Sequence, residues 1–227
     1  MNLNELQYPI GQFQSQESYT PSEIKSNIQI ISALPSKFIN LLGNWDDHRL
    51  DTPYRPGGWT VRQLIHHVAD SHINAYTRCR LALTEDNPTI KPYEEHLWAE
   101  LPDAQTAQVE LSLQLLRYVH LRWVLLLNSL DENDLARTYF HPGSQKSYRL
   151  DEVIANYAWH SEHIISTHSG WRSGTIGCKM PLKNHGAANY HLGIISDRGR
   201  LHGLADLESI RPAQQRRLCQ RMWLRRR

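Results

Sequence analysis

Two capping boxes, each followed by apolar residues at helical spacing, constrain this chain more than any other feature. In "TPSEIKSNIQIISALPSKFINLLG", Thr20 is placed to cap a helix, Pro21 suits the first helical position, and Glu23 can return a bond to the cap. Ile24, Ile28, Ile31 and Phe38 then share one face, while Pro35 predicts a kink and Gly43 an end. In "GGWTVRQLIHHVADSHINAYTRCRLALT", Gly57 and Gly58 close a loop, Thr60 caps, Gln63 reciprocates, and the helix should run to Thr84.

A third helix is expected with Asp103 as its cap and Val109, Leu113, Leu116, His120, Trp123, Leu127 and Leu130 as its core stripe. A fourth lies in "LDEVIANYAWHSEH": Asp151 and Glu152 suit the positive end of a helix dipole, and Ile154, Tyr157, Ala158 and Ser161 form a packed face. No strand pattern competes within residues 1–163. The predicted class is all-α: an antiparallel four-helix bundle with a long connection from Glu85 to Pro102 and an irregular C-terminal tail.

The charge balance sets the domain boundary. Residues 1–163 hold 13 basic and 20 acidic side chains, net −7, whereas residues 164–227 hold 12 basic and 3 acidic, net +9, and carry 7 of the 12 glycines. The expectation is a bundle over residues 1–163 and a divergent basic tail over 164–227. A tail ending in "RRLCQRMWLRRR" has the charge of a nucleic-acid arm, but it lacks interleaved aromatics, so nucleic acid is the partner least expected. No apolar run approaches the roughly 20 residues of a membrane span, and Met1 to Gln16 shows no basic-then-apolar leader, so a cytoplasmic protein with no membrane partner is expected. Cys79, Cys178 and Cys219 are odd in number and widely spaced, matching neither a disulfide framework nor CxxC chemistry.

Histidine is the abundant chemical group. Helix bundles build metal sites from inward side chains on facing helices. On the second helix His67, Asp70, Ser71 and Asn74 share one face; on the fourth, His160 and His163 are a turn apart. One histidine from the former and two from the latter would make a three-nitrogen site with a vacant position, the arrangement of a catalytic rather than a structural zinc. Asp70 is the candidate to orient His67 from behind. His66, His72, His96 and His120 read more simply as surface or satisfied core residues, and Trp59, Trp98 and Trp159 as packing rather than a substrate pocket.

The stretch from Asp51 to Asp103, with its "HHVAD", together with "HLRWVLLLNSL", "ARTYFHP" and "LDEVIANYAWHSEH" in the same order, resembles the YfiT branch of the DinB-like superfamily. The resemblance covers nearly all of residues 8–163. It implies a four-helix bundle, a homodimer, and one divalent ion per chain, zinc or nickel, on three histidines. The activity it implies is metal-dependent hydrolysis or transfer of a small thiol: the ion activates a water or thiolate toward a small-molecule electrophile. His67 and His160 match the first two ligands. The third stands four residues after His160, where this chain has Ile164, and the family's following "AHI" is replaced by "STH". His163 is the nearby stand-in, three residues after His160 and dependent on a rotamer change. The alternative expectation is a non-catalytic bundle with impaired metal binding. Because the departure coincides with the charge break, a shifted reading frame after His163 is the economical account of residues 164–227.

Overall fold

A computed structural model of the chain describes residues 7–43, 45–172, 193–195 and 201–203. Four long helices dominate: α1, Pro21–Leu42; then, past the short α2, Asp47–Leu50, comes α3, Val61–Thr84. The short α4, Glu95–Ala99, and α5, Pro102–Thr106, precede α6, Val109–Leu127. A further short helix α7, Glu132–Ala136, leads into strands β1, Thr138–His141, and β2, Lys146–Arg149, and then α8, Leu150–Arg172. A separate unit, Met180–Arg227, contains β3, Gly193–Ile195, antiparallel to β4, Leu201–Gly203.

Both predicted capping boxes form. Thr20 Oγ1 accepts from the Glu23 amide while the Glu23 carboxylate accepts from the Thr20 amide, and Thr60 and Gln63 repeat the exchange. Helix α1 continues through Pro35 to Gly43, whose φ of 50° suits a residue without Cβ. Asp103, expected to cap the third long helix, instead lies inside α5; the long helix starts at Val109 with Gln108 at its cap position and no side-chain cap bond. The "PDAQT" segment closes its own turn first, because Pro102 favours a helical first position. Leu130 falls beyond the end of α6.

The expectation of no strand before residue 163 also needs correction. β1 and β2 pair antiparallel, with Tyr139 opposite Tyr148. Four residues a side is too short for a convincing alternation, and the pairing is secured from outside: Phe140 exchanges backbone hydrogen bonds with Pro88 and Ile90. The hairpin thereby pins the Glu85–Pro102 connection against the bundle.

Helix α1 packs on α6 and α8, and α3 packs on α6. The apolar interior falls into two clusters. One gathers Ile28, Ile31, Ala75, Cys79, Trp123, Leu127, Ile154 and Ala158; the other gathers Leu34, Phe38, Leu64, Ile65, Val68, Leu113, Leu116 and Ile164. The boundary between them falls at the same level on every long helix: after Ile31 on α1, between Val68 and Ala75 on α3, between Leu116 and Trp123 on α6, and between Ala158 and Ile164 on α8. Histidines occupy that boundary on three of the four.

Candidate metal centre

The "HH" of α3 splits its two rings between different tasks, because adjacent helix positions point about 100° apart. His66 turns toward α6, where its Nδ1 meets Ser112 Oγ at 2.7 Å and its Nε2 lies 3.2 Å from the Ala107 carbonyl. His67 turns toward α8. Its ring lies edge-on to that of His160 at 6.1 Å between centroids, and the Trp59 ring covers it at 4.8 Å. Trp59 therefore does line the site. His67 and His160 come from facing helices and are close enough to address one ion. Burial pushes both below the ordinary imidazole range, to about 4 for His67 and about 3 for His160, where neighbouring His67 and His163 add to the effect. Both rings are thus neutral at physiological pH, the state in which imidazole binds a metal.

His163 does not join them. Its ring stacks on Trp159 at 4.8 Å and 16°, with Tyr8 at 6.0 Å, and its Nδ1 is buried without a hydrogen-bond partner among the described residues. Ile164, one turn after His160, is 5% exposed and belongs to the apolar cluster with Phe38, Leu64 and Val68. Among the described residues no group of three or more His, Cys, Asp or Glu side chains is placed to hold a metal ion. Of the three ligand positions that the family resemblance implies, two are held by His67 and His160, which stand together, and the position expected for the third holds the buried Ile164.

The other polar residues of the α3 face have separate employment. Ser71 and Tyr157 are hydrogen-bonded, the Tyr157 hydroxyl donating to the Ser71 carbonyl at 3.1 Å, and the Asn74 amide returns to the Asp70 carbonyl at 2.9 Å. The Asp70 carboxyl has no hydrogen-bond or ion-pair partner among the described residues. Burial, aided by Asp103, raises it to about 6, so it exchanges a proton near neutrality.

Two residues assigned to ordinary packing from sequence prove to be attached to the centre. His72 Nε2 lies 3.2 Å from His160 Nδ1, His72 Nδ1 lies 2.9 Å from His120 Nε2, and His120 Nδ1 lies 2.7 Å from the Ile31 carbonyl. They are satisfied core histidines, as expected, but the group that satisfies His72 on one side is the candidate ligand. The available signal was a histidine inside the apolar stripe of α6, facing another five residues beyond His67.

The DinB superfamily model matches residues 30–163. A Bacillus cereus protein named as a candidate metal-dependent hydrolase is 50% identical over 161 residues, covering 71% of this chain and 92% of its own length. A Bacillus thuringiensis protein so named matches to the same extent. The solved structure of YfiT from Bacillus subtilis, described as a probable metal-dependent hydrolase with an unusual four-helix bundle topology, superposes with a TM-score of 0.73 at 41% identity. That match covers 75% of this chain and 98% of YfiT. With the bundle, the paired histidines and these relatives in agreement, the chain belongs to the DinB superfamily.

Proposed function

We propose that this protein has the plan of a metal-dependent hydrolase or small-thiol transferase of the DinB type, with a metal centre reduced from three histidines to two. The observation that carries this reading is the burial of Ile164 in the apolar cluster one turn beyond His160. His67 and His160 would still hold a divalent ion, zinc or nickel, at most one per chain. In a complete centre the ion supplies Lewis acidity, turning bound water into hydroxide or a small thiol into thiolate for attack on an electrophile. Two imidazoles grip such an ion far less firmly than three, so the chain as it stands is a bundle with impaired metal binding.

A second reading recruits His163. The buried, unpartnered Nδ1 of that ring favours it, since a buried polar atom without a partner is costly; its stacking on Trp159 opposes it. Calorimetric titration with zinc separates the two. Under the first reading binding is weak and is abolished by His67→Ala, while His163→Ala leaves it unchanged; a tight site lost with His163→Ala supports the second.

Among the described residues no helix is long and apolar enough to cross a membrane; a cytoplasmic location is part of the proposal. Leu111, Leu115, Tyr118, Leu121 and Leu125 form an exposed apolar stripe on α6, opposite its core face, and this is the surface on which a homodimer would close. Residues 164–227 are proposed as the product of a shifted reading frame.

A further inference from the structure

Three histidines from three helices form one unbroken chain of ring contacts, and its far end is fixed by a group that can only accept. The Ile31 carbonyl has no proton to give, so His120 Nδ1, 2.7 Å away, must carry one. His120 is 2% exposed and no carboxylate touches it among the described residues, so its ring is neutral and its Nε2 is a bare acceptor. The 2.9 Å contact then requires a proton on His72 Nδ1. His72, fully buried and likewise without a carboxylate, is neutral in turn, so its Nε2 accepts from His160 Nδ1 at 3.2 Å.

We propose that His72 and His120 are positioning residues: they fix His160 as its Nδ1–H tautomer and so leave its Nε2 lone pair as the one available for a ligand. The preference is imposed, because an imidazole free in water favours a proton on Nε2. The importance of the tautomer rests on the reading of His160 as a metal donor, but the tautomer itself does not. His72 stacks against His120 at 4.9 Å and lies edge-on to Trp123 and Tyr157, so packing as well as hydrogen bonding holds the rings in line. A partner that orients a ligating imidazole through its second nitrogen is the usual companion of a metal histidine. Here that partner is itself a histidine and is held by another.

The experiment is a long-range proton–nitrogen correlation spectrum of the ring nitrogens in the full-length, metal-free, 15N-labelled protein at neutral pH, with resonances assigned by His160→Gln, His72→Gln and His120→Gln. The expected result is a single Nδ1–H form for each of the three rings. In the unaltered protein, a His160 protonated at Nε2, or an imidazolium at His72, overturns the proposal. In His72→Gln, whose amide can accept from His160 and donate to His120, the His160 tautomer should persist. In His72→Leu it should be lost to the Nε2–H form; retention of a pure Nδ1–H form there also overturns the proposal. Failure of the donor reading shows separately, as His67 and His160 rings unmoved by added zinc chloride with the tautomer pattern unchanged.

Discussion

Acidification should destabilise the bundle steeply, because its polar layer is made of neutral buried imidazoles. His67 and His120, 9% and 2% exposed, are both held at about 4 by burial against an ordinary value of 6.5. Unfolded rings take up a proton below pH 6.5 while the folded ones refuse it until about 4. The unfolded state therefore binds more protons throughout that window, and stability falls as pH falls through it. At pH 5 each ring is 1.5 pH units below its ordinary value, a loss of about 2 kcal/mol at 1.36 kcal/mol per unit, or about 4 kcal/mol for the two. His72, shifted in the same direction by burial and by His120, adds to this. Asp70, shifted upward and partly exposed, opposes it in part: its folded form holds a proton more tightly, which stabilises as pH drops below about 6. A loss of about 4 kcal/mol is a large share of the 5–15 kcal/mol typical of a domain. Urea denaturation followed by far-UV circular dichroism at pH 7.5 and 5, with chelator present, reads it directly. With a slope of about 2–3 kcal/mol per molar, the midpoint should drop by roughly 1.5 M. Midpoints within about 0.3 M of each other would show that these rings are not buried neutral bases.

Three further outcomes follow from particular residues. Leu121→Glu with Leu125→Glu, on the exposed stripe of α6, should convert a dimer to a monomer in sedimentation velocity without changing helix content; an unchanged sedimentation coefficient from a dimeric species would place the interface elsewhere. Thr60→Ala removes the α3 cap and should cost about 1 kcal/mol, with Thr60→Ser largely restoring it in urea midpoints; a Thr60→Ala midpoint equal to that of the unaltered protein would contradict the cap's role. Translating the other frames downstream of codon 163 should produce an "HHxAHI"-like continuation, and its absence from every frame would make residues 164–227 a true extension.

Much of the fold was legible because its signals are local. Both reciprocal caps and the 3.6-residue stripes of α1 and α3 depend on neighbours within a turn or two, and the structure reproduces their limits. The start of α6 was misplaced because Asp103 is an adequate cap in sequence, while the break at Ala107 and Gln108 depends on how α5 docks on α3. The β1–β2 hairpin was missed because its hydrogen-bonding complement includes Pro88 and Ile90, some fifty residues earlier. At the site, helical spacing and family likeness together singled out His67 and His160, which the structure brings together. His163, whose part already depended on a rotamer change, instead stacks on Trp159, its neighbour four residues earlier on the same helix. One-dimensional spacing could not show that His72 and His120 join end to end, since that requires the crossing of α3, α6 and α8 at one level.

The most direct test of the central claim is the zinc content of the purified protein, measured by mass spectrometry after dialysis, beside that of Ile164→His. The unaltered protein should hold well under one ion per chain and the variant close to one, lost again when His67→Ala is added. A full, dialysis-resistant complement of metal in the unaltered protein would contradict it.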